Sequence, residues 1–143
     1  MKKLIYTAMI YSIAAIAAGV FYREFTKFNG YTGETVLRYI HVHLFALGMF
    51  LFLILALFCR QEHGLTETKI FKRFYVLYNI SLPLMVCTML TRGILQVQNA
   101  DLTRAVDASV SGIAGISHIL FTVSLFMLFK ALMKDTPESS VRR

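Results

Sequence analysis

The chain has 143 residues, 57% of them hydrophobic, and a mean hydropathy of +0.61. That is too apolar for a water-soluble domain of this length, and two prolines, eight glycines and two cysteines exclude a disordered or disulfide-scaffolded chain. The net charge of +7 would suggest nucleic acid in a soluble protein. Here the bases sit at the ends of apolar segments, where membrane topology accounts for them, and no nucleic-acid partner is expected.

A bilayer core takes about 20 mostly apolar helical residues. The sequence predicts four such spans, over residues 4–22, 34–59, 70–96 and 106–132. Together they make one all-α transmembrane four-helix domain over residues 1–134, followed by a polar tail over 135–143. The first segment carries Lys2 and Lys3 ahead of an apolar stretch containing Ala14, Ala15, Ala17 and Ala18. That pattern also fits a signal peptide; we read it as a span. Gly30 and Gly33 break the chain before the second span, and residues 61–68 form a polar turn in which His63 is a solvated loop residue. Pro83 is expected to bend the third span. Tyr75 and Asn79 lie four residues apart there, suited to bonding a neighbouring helix or touching a quinone. Cys59 and Cys87 have no CxxC spacing and read as inert thiols.

The bases also give an orientation. One side of the four spans carries Lys2, Lys3, Arg60, Lys69, Lys72, Arg73, Lys130, Lys134, Arg142 and Arg143. The other carries Arg23, Lys27, Arg38, Arg92 and Arg104. The richer side is expected to be cytoplasmic, which puts both termini inside a bacterial cytoplasmic membrane.

Polar side chains within a span are costly in lipid and ordinarily face a bundle interior or a ligand. His41, His43, Arg92 and His118 stand out. Residues two apart on a helix point about 200° away from each other, so His41 and His43 cannot share one ion. If both bind something, they serve sites on opposite flanks. His118 lies with Ser111, Ala114, Gly115 and Thr122 at spacings of three and four, on a small, mildly polar face that admits a close helix or a flat ligand.

Neutral imidazole ligates haem iron, copper and zinc. A closed copper or zinc site wants three or four converging ligands, and the diverging pair does not supply them. A flat haem between helices suits the pattern better. Histidines 41, 43 and 118 are the candidate metal ligands, and Gly48 and Gly115 candidate positions for the ring's close approach. Arg38 and Arg92 are candidate propionate partners near the end away from the termini, with Arg23 a weaker one.

The run His41-Val-His43-Leu-Phe-Ala-Leu-Gly48 resembles the HxH helix of haem–copper oxidase subunit I, and the histidine-bearing helices of NnrS-like haem and copper membrane proteins. The first resemblance implies that one histidine serves a low-spin haem and the other a high-spin haem on the opposite flank. The whole chain, including Gly19-Val-Phe-Tyr-Arg-Glu-Phe25 and Gly112-Ile-Ala-Gly-Ile-Ser-His118, looks like a family of small bacterial four-helix membrane proteins of unassigned function. An HPE-type motif, an adjacent His-His pair and a histidine followed four residues later by tyrosine are all absent. That departs from a full oxygen-reducing centre. Subunit I resembles three four-helix arcs around a pseudo-threefold axis, so a chain of this kind is expected to form one arc of a homotrimeric ring.

The expected function is haem b binding for electron transfer or for diatomic gas or redox sensing, within membrane lipid and with a redox partner or quinone. If a reaction is turned over, it is an oxidoreduction. The alternatives are a copper-binding or copper-handling protein, and a metal-free structural or transport bundle whose histidines bond neighbouring helices.

Overall fold

The computed structural model describes residues 1–61, 64–100 and 103–134. The polar tail over 135–143 and His63 lie outside the described residues. Helix α1 spans Lys2–Phe28. The second span begins as α2, Leu37–His43, continues as a π-helical segment, Leu44–Phe50, and finishes as α3, Leu51–Gln61. A 3₁₀ turn, Leu65–Glu67, leads into α4, Lys69–Val97, and α5 spans Arg104–Lys134. No strand forms among the described residues.

Four stretches are long and apolar enough to cross a membrane: Lys2–Phe28, Leu37–Arg60, Lys69–Val97 and Arg104–Met133. No more than 33% of any span's apolar window is buried within the chain. Large side chains such as Ile10, Ile16, Leu57, Ile119 and Phe126 stay exposed. A surface this apolar is matched to hydrocarbon rather than water.

The helix ends have local causes. Asn29 Nδ2 donates to Phe25 O at 2.8 Å, and Gly30 takes φ 58°, a left-handed conformation that glycine adopts without penalty. Thr68 caps α4, its Oγ1 accepting from Phe71 N at 3.2 Å. Asn99 takes φ 47° just past α4. Helices α1, α4 and α5 therefore run a little longer than their apolar stretches suggested, while the second span begins three residues later, at Leu37, and ends two later, at Gln61. Pro83 sits inside α4, which continues through it as one helix.

An aromatic cluster ties the four spans together. Tyr11 of α1 stacks on Phe52 of α3 at 5.8 Å, and Phe52 meets Tyr78 of α4 edge-on at 5.5 Å. Tyr78 in turn meets Phe121 of α5 at 4.9 Å. Phe52, Phe74 and Tyr78 are fully buried. Near the Lys69 end, α1 and α4 are joined by Thr7 Oγ1 and the Tyr75 hydroxyl at 2.6 Å, and by the Tyr11 hydroxyl donating to Asn79 Oδ1 at 2.9 Å. The Tyr75–Asn79 pair thus makes helix–helix hydrogen bonds. Toward the other end the two helices leave an apolar groove of about 600 Å³, with Ala14, Ala18, Pro83 and Leu90 in its walls and Ile40 and Leu44 among its lining.

In the second span the buried positions Leu44, Gly48, Phe52 and Ala56 recur every four residues. An α-helix turns 3.6 residues at a time, so this stripe would drift around it. The π segment, with wider turns, keeps it facing inward. The Tyr78 hydroxyl donates to Leu47 O at 2.7 Å within that segment.

Candidate functional site

The three histidines fall on three surfaces. His41 lies beside α1: its Cβ and Cγ are 3.8 Å from where a side chain at Gly19 would begin. Its Nδ1 is buried without a hydrogen-bond partner among the described residues. His43 stands half-buried on the opposite flank of α2. His118 is exposed on α5.

His43 and His118 are held in the same way. His43 Nδ1 lies 2.8 Å from Tyr39 O, and His118 Nδ1 lies 2.7 Å from Ala114 O. A carbonyl oxygen only accepts, so in each ring Nδ1 carries the proton and donates. The neutral ring then keeps its lone pair on Nε2. A backbone carbonyl behind Nδ1 fixing Nε2 as the donor atom is the arrangement that orients metal-ligating histidines.

Apart from Ser111, whose hydroxyl meets Arg92 of α4, the small face around His118 is not used for packing among the described residues. Ser111, Gly115, His118 and Thr122 are exposed, and a Cβ at Gly115 would meet nothing within 4 Å. Helix α5 instead turns Ser117, Phe121, Ser124 and Leu128, all buried, inward. Gly48, expected beside a cofactor, lies against the Tyr11 ring; a Cβ there would come 2.5 Å from Tyr11 Cγ.

The arginines have partners within the chain. Arg38 Nη1 pairs with Glu34 Oε1 at 2.9 Å on an exposed face. Arg92 Nη2 pairs with Asp107 Oδ1 at 3.0 Å and donates to Ser111 Oγ at 2.7 Å, joining α4 to α5. Arg23 lies 3.8 Å from Glu24. No group of three or more His, Cys, Asp or Glu side chains able to hold a metal ion forms among the described residues.

Tyr78 is the residue that sequence reasoning missed. It contacts both the second span, through Leu47 O, and Phe121 of α5. The stripe Phe71, Phe74, Tyr78, Leu82 and Met85, all buried and spaced by three or four, is the signal that would have turned it inward. Nothing comparable announces the π segment.

Fold and surface together define a helical bundle with four helices long and apolar enough to cross a membrane, in which two imidazoles are oriented by backbone carbonyls. The chain belongs to the family described as Protein of unknown function (DUF2871), whose model matches residues 1–135. No curated protein and no solved structure matches it.

Proposed function

We propose that this is a haem b protein of the bacterial cytoplasmic membrane, with both termini cytoplasmic, in which histidines between the spans ligate the iron. The observation that carries the reading is the pair of Nδ1-to-carbonyl hydrogen bonds at His43 and His118, which leave two Nε2 lone pairs on flanks of an apolar bundle. An uncompensated imidazole nitrogen in hydrocarbon is costly, and a ligand between the helices compensates it. When bound, haem supplies a redox-active iron, suited to electron transfer or to sensing diatomic gases or redox state. Copper is the weaker reading, since a closed copper site draws on a convergent cluster that the described residues do not form.

The proposal extends to assembly. His118 and the small face around it are exposed in the single chain, and a homotrimeric ring would cover them with a neighbour. Native mass spectrometry in mild detergent is expected to give three chains; a stable haem-loaded monomer would overturn the ring and leave the haem reading standing.

Visible absorption of the purified protein tests the haem reading. The expected result is a sharp Soret band with resolved α and β bands on reduction. Absence of such a spectrum, both as purified and after titration with ferric protoporphyrin IX, would refute it.

A further inference from the structure

Two lysines face each other across the end of the bundle where α1 and α4 begin. Lys3 lies in the first turn of α1 and Lys72 in the first turn of α4. Both line one cavity of about 340 Å³ between the two helices, together with Tyr75 and Thr66. The rest of its lining is apolar and includes Leu4 and Phe71, both buried, and the exposed Val76. A ligand matched to these walls carries negative charge at one end and an apolar body at the other.

Lys3 is held in place. Its ammonium stands over the face of the Tyr75 ring, 4.1 Å from the centroid. The ring is fixed in turn. Thr7 Oγ1 donates to Lys3 O at 2.9 Å, which uses the one proton of that hydroxyl. The Tyr75 hydroxyl, 2.6 Å from the same oxygen, is therefore the donor of that pair. Lysine backbone, threonine, tyrosine ring and lysine ammonium thus close a circuit between α1 and α4. A lysine at a span end ordinarily reaches outward into the headgroups. This one is folded against an aromatic wall of the cavity.

The positive charge there is uncompensated within the described residues. Neither helix carries an acid in its first turn, where the positive end of the helix dipole favours one. Neither lysine joins an ion pair among the described residues, and Glu67, in the turn before α4, is not part of the lining. We propose that this cavity holds the phosphate of one anionic phospholipid, with Lys3 and Lys72 on the phosphate oxygens and the lipid's glycerol and first acyl carbons against Leu4, Phe71 and Val76. Inorganic phosphate has no apolar body to bury against those three side chains. The same α1–α4 seam also continues for an acyl chain: the apolar groove described above begins at Ile10, seven residues and about 10 Å beyond Lys3. This site is independent of the haem reading.

The test is native mass spectrometry of the full chain in mild detergent, titrated with phosphatidylglycerol or with phosphatidylcholine of the same acyl chains. Wild type is expected to take up one phosphatidylglycerol per chain about 30-fold more tightly than phosphatidylcholine, each lysine supplying about 5-fold. The double variant Lys3→Gln/Lys72→Gln should lose that preference, and Lys3→Arg/Lys72→Arg should keep it. Lys2→Gln/Lys69→Gln removes two charges from the same helix ends but outside the cavity's lining, and should keep it as well. All four lysines are exposed, so the folds should survive, which helical circular dichroism checks. No preference in wild type, or an equal loss in the Lys2/Lys69 variant, would overturn the site in favour of a diffuse basic surface. Displacement of the lipid by millimolar inorganic phosphate would overturn the lipid as occupant and leave a free-phosphate site.

Discussion

Gly48→Ala isolates one close contact. The added Cβ would lie 2.5 Å from Tyr11 Cγ, 2.6 Å from Cβ and 2.8 Å from Cδ1. All three belong to the stiff root of the ring, not to a flexible tip. Tyr11 is held from the far side by stacking on Phe52 and by its hydrogen bond to Asn79. Overpacking a fitted core costs about 1–3 kcal/mol. If Tyr11 swings away instead, it forfeits about 0.5–1.5 kcal/mol of aromatic contact. It also forfeits a bond worth about 0.6 kcal/mol between membrane helices. The expected loss is about 1–2 kcal/mol, set by the cheaper route, read from unfolding in sodium dodecyl sulfate titrated into mild-detergent micelles and followed by circular dichroism. In a Tyr11→Ala background the obstacle is gone, and the same substitution should cost less than about 0.5 kcal/mol. A Gly48→Ala variant as stable as wild type, or equally costly in both backgrounds, would refute the contact. If stability were untouched and haem affinity fell, the glycine would belong to a cofactor cradle instead.

Three further outcomes are expected. Tyr78→Phe keeps the ring and removes the donor to Leu47 O, so the same titration should show a loss of about 1 kcal/mol, against about 3–5 kcal/mol for Tyr78→Ala. Arg92→Ala should change stability by less than about 1 kcal/mol, because its Asp107 pair is partly exposed, yet weaken binding of ferric protoporphyrin IX in a fluorescence-quenching titration. In a chain with Cys59 and Cys87 changed to serine, an impermeant maleimide added outside cells should label a cysteine placed at Gly30 and miss one at Glu67; the reverse pattern would invert the topology.

The four long helices were legible because each carries about 20 mostly apolar residues in a row, enough to cross a bilayer as a helix. Their ends were read short at α1 because Arg23, Glu24 and Lys27 look like a boundary to hydropathy, while the helix runs on to Phe28, where Asn29 and Gly30 end it. The divergence of His41 and His43 was also legible, since two residues apart on any helix means opposite flanks. What covers each flank was not. That His41 meets Gly19 depends on where α1 settles, and helix order around a bundle is a tertiary choice that one helix's periodicity does not encode. Gly48 shows the same gap: the need for a small residue was visible, but the neighbour turned out to be Tyr11. Arg92 looked free for a ligand because Asp107, its partner fifteen residues on, belongs to the next helix.

The π segment makes the second span one residue longer than its partners require. Its wider turns absorb the surplus between Leu44 and Phe50, so the half bearing His43 and the half bearing Phe52 are phased independently. Deleting a single residue there, Ala46 for instance, would let the whole span wind as ordinary α-helix with both halves still facing their own neighbours. The same deletion made two turns later, within Leu51–Gln61, would rotate everything beyond it by about 100° and present Leu55 and Ala56 to lipid. Within the second span, tolerance to a one-residue deletion should therefore be confined to this short stretch.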